Sequence, residues 1–194
     1  MALWIIVAII IVVLGWVIMT YNRLVGLRTQ VANGWSQIDV QLKRRHDLIP
    51  NLVESVKGYM GHEQDTLRQV IEARNSAVKV SAPAGAAGAT PDQIAAESML
   101  SQSLGRMFAL AESYPDLKAN QTVQQLMEEL SSTENKIGFA RQYYNDTATS
   151  LNTAVQSVPG NLIAGQFGFK NAELWRVSDA DRAAVEAAPQ VKLR

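Results

Sequence analysis

The side chains that could do chemistry gather in the run Lys43-Arg44-Arg45-His46-Asp47, where Arg45 interrupts an apolar helical stripe between Leu42 and Ile49. A cation on such a stripe leaves water and needs a carboxylate partner. At ~1.5 Å of rise per residue, Arg45 lies ~36 Å beyond Tyr21, and Glu134 lies ~33 Å along a returning helix that ends near Gln156. An Arg45–Glu134 ion pair is therefore geometrically allowed, and the same register sets Asp39 near Arg141. Such partly buried pairs fix helix register. The alternative is a polar pocket between helices that holds a ligand.

No spacing marks a reaction. His46 and His62 belong to neither a Glu-x-x-His nor a His-Glu-x-x-His pattern, so a di-iron bundle or a zinc protease is unsupported. His62, beside Glu63 at a helix start, reads as a capping or surface residue. Gly165-Gln-Phe-Gly-Phe169 follows no strand and precedes no Gly-Lys-Ser/Thr, so it is not a phosphate loop. The chain has no cysteine, which excludes a disulfide framework, a thiolate ligand and a thiol nucleophile. Lys plus Arg number 18 and Asp plus Glu number 18, and this balance, with acids close to the Lys43 run, argues against a nucleic-acid partner. The sequence thus points to no catalytic, metal or cofactor-binding residue and to no cofactor.

These residues are positioned by helices. Ala2 to Met19 carries no charge and reaches ~27 Å, enough to cross a bilayer core, with Trp4, Trp16 and Tyr21 at its ends as interfacial aromatics. No basic region precedes it and no small-x-small site lies near Thr20, so residues 2–20 read as an uncleaved anchor in membrane lipid. From Tyr21 to Met60 apolar residues recur every three or four positions, and this stripe keeps its phase through Asn33-Gly34 and Pro50. A kink at Pro50 and a stop at Gly58 and Gly61 are expected.

A second amphipathic stretch, about 62–79, runs into a small-residue loop, 81–90. Thr90, Pro91 and Gln93 then supply an N-cap, a first-turn proline and a capping-box residue for a third helix that ends at Tyr114-Pro115. Its buried face is Leu100, Leu104, Met107, Phe108 and Ala111. The fourth helix has an unbroken three-four alternation from Val123 through Leu130, Ile137, Tyr144 and Leu151 to Val158, before Pro159-Gly160.

The expected fold is all-α: an antiparallel four-helix bundle, long-short-short-long, over residues 21–158, behind the anchor and ahead of a tail, 159–194. Two helices of ~60 Å and two of ~30 Å leave the membrane-proximal half with only two helices. The stripe residues Leu24, Leu27, Val31, Trp35, Leu151 and Val158 then need cover, either from the tail through Phe167, Phe169 and Trp175 or from a second subunit. Homo-oligomerisation is expected, with other membrane proteins as further candidate partners.

The chain resembles the LemA family of bacterial membrane-anchored helical proteins. The resemblance rests on Tyr21-Asn-Arg-Leu-Val25, Arg44-Arg-His-Asp-Leu-Ile-Pro-Asn-Leu-Val53, Tyr114-Pro-Asp-Leu-Lys-Ala-Asn120, Thr133-Glu-Asn-Lys-Ile137, Ala140-Arg141, Tyr144-Asn-Asp146, Pro159-Gly-Asn-Leu-Ile163 and Phe167-Gly-Phe-Lys170. Lys136 and Trp175 depart from the family's more usual Arg and smaller aromatic. It implies a helical bundle behind an N-terminal membrane helix, with no agreed biochemical activity, in the bacterial inner membrane. Arg23 and Arg28 after the anchor favour a cytoplasmic bundle. Relatives with a cysteine at the anchor's end imply the opposite side, and both placements stand. A non-enzymatic scaffold that self-assembles or docks partners is the expected function; a ligand-sensing or signalling module with an inter-helix polar pocket is the alternative.

Overall fold

A computed structural model describes residues 1–61, 63–81 and 88–176. His62, the middle of the 81–90 loop and the tail from 177 onward lie outside the described residues. Helices α1 (Ala2–Val56), α2 (Gln64–Lys79), α3 (Pro91–Ala111), α4 (Pro115–Ala119), α5 (Gln121–Gln156) and α6 (Gly160–Phe167) follow in order. Among the described residues there is no strand.

Three differences from the expected helix pattern have local causes. The anchor and the first long helix are one 55-residue element, because nothing between Thr20 and Tyr21 breaks the backbone pattern. The α4 turn is separate because Tyr114 is extended ahead of Pro115 and because Asn120 starts a new helix, its Oδ1 accepting from the Thr122 and Val123 N–H groups at 3.0 and 3.2 Å. Beyond Ser157 to Pro159, Gly160 opens α6; a Cβ there would collide with the Ala154 carbonyl oxygen.

The described residues group into two compact units, one within Met1–Gln41, Pro83–Ala89 and Lys136–Leu174, the other within Leu42–Ala82, Thr90–Asn135 and Trp175–Arg194. In the first, the side chains of residues 2–15 are exposed throughout, and this helix is long and apolar enough to cross a membrane. Above them α1 and α5 lie against each other: Trp35 meets Tyr144 edge-on at 5.9 Å between ring centroids. Gly34 permits this approach, since a Cβ would stand 3.2 Å from the Tyr144 Cα. Asn33-Gly34, a turn signal in isolation, is here a helix contact.

The tail completes this unit. Gly168 adopts a left-handed conformation, φ 70°, that ends α6, and the Phe169 N–H donates to the Ala164 carbonyl at 3.0 Å. Asn152 then holds Ala172 through two hydrogen bonds of 2.7 and 2.9 Å, and the Tyr144 hydroxyl donates to the Glu173 carbonyl at 2.7 Å. Phe167 and Phe169 rest edge-on against Tyr21, and Arg28 stacks over Phe169 at 5.3 Å. Leu24, Val31, Trp35, Leu151 and Phe169 are buried in this unit and Leu27 is half-buried, whereas Trp175, also buried, belongs to the second unit. One stripe residue and one tail residue stay exposed: Val158 is 79% exposed and Phe167 54% exposed. The chain turns at Pro159-Gly160, and Val158 lies beyond the end of α5 at Gln156 with its side chain outward. The end of the 81–90 loop is likewise not free, for Ala89 is buried and Gly88 passes close beside the Tyr144 hydroxyl.

Tyr144 is fully buried, and desolvation, opposed by a hydrogen bond from the Ala89 backbone, raises its hydroxyl above the ordinary 10.0. A phenol whose folded pKa is raised contributes stability that is present below pH 10 and lost as pH rises through the folded value. Alkaline titration of helicity should therefore show a loss of stability beginning near pH 10 that Tyr144→Phe attenuates. An identical alkaline limb in the phenylalanine variant would contradict the assignment.

The second unit has the larger core. Ile49, Leu52, Val53, Val56 and Met60 pack with Leu67 and Val70 of α2, Leu100, Leu104 and Met107 of α3, Leu117 of α4 and Val123 and Leu130 of α5. Pro50 lies inside α1 without ending it. Proline removes the N–H that would bond the His46 carbonyl one turn back, and Arg74 Nε from α2 donates to that oxygen at 3.2 Å instead. Thr90 caps α3, its hydroxyl accepting from the Gln93 N–H at 3.3 Å. Only this half of the capping box forms, because the Gln93 side chain is buried in the unit.

Candidate functional site

Arg45, the largest fully buried side chain of the second unit, organises a polar cluster within it. The α1 backbone sets Arg45 and His46 side by side, 1% and 5% exposed. On α3, Gln93, Glu97 and Ser101 follow at intervals of four and so form one stripe along the same face. Glu134 of α5 closes the ring.

Arg45 Nη1 donates to Glu134 Oε2 at 2.6 Å and to Ser101 Oγ at 2.8 Å, while Nη2 donates to Glu97 Oε2. Ser101 Oγ donates in turn to Glu134 Oε1 at 2.9 Å. The second oxygen of Glu97 lies 3.0 Å from His46 Nε2. Glu97 is as buried as Arg45, whereas the Glu134 side chain is 38% exposed and retains access to water. A planar guanidinium suits this place, since its fork can hold two carboxylates and a hydroxyl in fixed directions.

His46 Nε2 and Glu97 Oε1 face each other without a hydrogen bond, and among the described residues Arg45 Nε and the Gln93 side-chain amide, which is 0% exposed, meet no hydrogen-bond partner. A buried amide without partners costs about 1–3 kcal/mol. Gln93→Met is therefore expected to raise stability by about that amount, measured as denaturant-induced loss of helicity. A loss of stability instead would mean that the amide bonds a buried water or small ligand.

Sequence reasoning singled out Arg45 and Glu134, and the structure brings them together. It did not single out Glu97, Ser101, His46 or Gln93 as members of the cluster. A signal existed for α3: its buried series runs back at helical spacing from Ala111 through Met107, Leu104 and Leu100 to the polar Glu97 and Gln93. Asp39 and Arg141 lie in the first unit, on α1 and α5, and each is engaged with a partner. The cluster is an ion-pair network in which the Ser101 hydroxyl is tied to both Arg45 and Glu134. No group of three or more His, Cys, Asp or Glu among the described residues could hold a metal.

An open concave surface lies in the first unit, on α1 and α5. A groove of about 460 Å³ on the α1–α5 pair is lined by Ser36, Gln37, Val40, Lys136, Phe139 and Tyr143, among others. Val40, Phe139 and Tyr143 are 58%, 75% and 43% exposed.

Comparison with known proteins gives a consistent relationship. The LemA family model matches residues 34–192. The chain is 25% identical over 167 residues to the Protein LemA of Metamycoplasma hominis, covering 86% of this chain and 74% of that protein. It is 25% identical over 182 residues to the Magnetosome protein MamQ 2 of Paramagnetospirillum magneticum, covering 84% and 67%. The same identity and coverage hold for the Magnetosome protein MamQ of Magnetospirillum gryphiswaldense.

Proposed function

The chain belongs to the LemA family, and from that premise we propose that it is a non-enzymatic scaffold, held in the bacterial inner membrane as a single-pass protein by residues 2–20, that assembles with further copies of itself. The long parts of α1 and α5 with α2 and α3 make up its antiparallel four-helix bundle. One observation carries the reading: the polar cluster is internal, while large apolar side chains stay exposed around the α1–α5 groove.

Of the described residues lining that groove, Lys136 alone is charged, so a helix of another copy can enter with little desolvation of charge. Confinement to a membrane raises the local concentration of copies and favours assembly through a modest contact. The protein extracted gently from membrane should form assemblies of defined copy number in mass photometry. Combining Val40→Lys with Phe139→Lys is expected to reduce them to monomers with unchanged helicity. A wild-type protein that is monomeric throughout would overturn the reading.

The ligand-sensing alternative rests on Gln93 and Arg45 Nε, whose polar atoms have no hydrogen-bond partner among the described residues. The Gln93→Met experiment above separates it from the scaffold reading.

A further inference from the structure

We propose that the membrane-proximal end of the first unit docks on the anionic headgroup layer of the bilayer that holds α1, through the exposed apolar residues Val158, Leu162 and Phe167 and a collar of Arg23, Arg28 and Lys170. The inference rests on residues 2–20 being inserted in that bilayer.

Register sets the height of these residues. Trp35 and Tyr144 are in contact, and the twelve residues from Tyr144 to Gln156 descend as far as the twelve from Trp35 back to Arg23. The end of α5 is thus level with the first charged residue after the apolar run. The contact of Phe167 with Tyr21, 4.9 Å between ring centroids, gives the same level independently. Around it Val158, Leu162 and Phe167 are 79%, 68% and 54% exposed. Exposed apolar side chains at the boundary of a membrane span, flanked by an aromatic such as Tyr21, match the composition of an interfacial surface.

Charge supplies the second observation. No Asp or Glu occurs in residues 1–38 or in residues 147–172, although the whole chain is neutral. The cations of these two segments are Arg23, Arg28 and Lys170, all exposed. Phe169, stacked under Arg28 and against Tyr21, sets Lys170 beside them. Among the described residues, the carboxylates that flank these two segments in sequence are Asp39, Asp146 and Glu173. A rim built from these two segments, which carry cations and no acid, is attracted to an anionic headgroup layer within about one Debye length, ~8 Å at physiological salt.

Because the chain has no cysteine, a single Leu162→Cys substitution can carry an environment-sensitive fluorophore in the full-length protein, reconstituted into vesicles of phosphatidylcholine with or without phosphatidylglycerol. Ile10→Cys reports the span and Asp65→Cys, at a side chain 84% exposed on α2, reports open water. The fluorophore at position 162 should be quenched by lipids brominated near the headgroup and protected several-fold from aqueous iodide. Protection should be greater with phosphatidylglycerol, and neutralising Arg23, Arg28 and Lys170 to Gln should remove that difference. If position 10 is quenched by lipid but position 162 is as open to iodide as position 65, the docking is overturned. Protection from iodide without lipid quenching would overturn it in favour of cover by another protein. Absence of lipid quenching at position 10 would instead overturn the membrane insertion on which it rests.

Discussion

Arg45→Met is expected to destabilise the full-length protein by about 3–5 kcal/mol, the range for breaking a buried ion pair by removing one partner. The loss comes from what stays behind. Glu97 is 1% exposed, and without the guanidinium only His46 Nε2 faces its carboxylate. Glu134 suffers less, because its side chain is 38% exposed and can turn to water. The double variant Arg45→Met, Glu97→Leu leaves no uncompensated buried charge, and it should regain most of the lost stability or exceed wild type. Denaturant-induced loss of helicity in detergent micelles measures both. A cost below about 1 kcal/mol for the single variant, the range of exposed pairs, would show that the pair is not desolvated.

Trp35→Ala should cost a similar amount, about 3–5 kcal/mol, as truncation of a large buried aromatic. On the sequence alone, alanine at Trp35 or Leu151 would be expected to weaken assembly and leave the distal bundle folded. The structure changes that expectation. Trp35 is 3% exposed and packs on Tyr144 within one chain, so its removal opens a cavity between α1 and α5. The contrast is Phe139→Lys, at a side chain 75% exposed, which should change stability by no more than about 0.5 kcal/mol while reducing assembly. Reversal of these two patterns, with Trp35→Ala folded but monomeric and Phe139→Lys unfolded, would place the subunit contact on the stripe.

What was legible in the sequence follows from what is local. The three-four spacing along α1 and α5 marks their buried stripes through Asn33-Gly34 and Pro50, because side-chain phase depends only on rise and turn. Arg45 is conspicuous for the same reason, as a charge on an apolar stripe. Glu97 and Gln93 are less so: they lie on the buried face of α3, but which helix that face meets depends on packing between distant segments. Arg74 is a stronger instance, since its use as a donor to the carbonyl freed by Pro50 has no trace in spacing. The tail is hardest. Residues 168–176 have no period, and their course is set by single hydrogen bonds from Asn152 and Tyr144.

That course has a consequence during synthesis. Trp35 leaves the ribosome with its stripe neighbours Leu24 and Val31, yet Tyr144 follows roughly 110 residues later and the segment held by Asn152 later still. At about 5–20 residues per second, the stripe waits on the order of 5–20 s for its cover. Through that interval the nascent helix stands beside the insertion site with its apolar side open, an aggregation hazard that ends only when translation reaches the tail. Truncation after Gln156 keeps the α5 cover of Trp35 but leaves the Tyr21 end of the stripe without Phe167 and Phe169, so such a chain is expected to aggregate more readily.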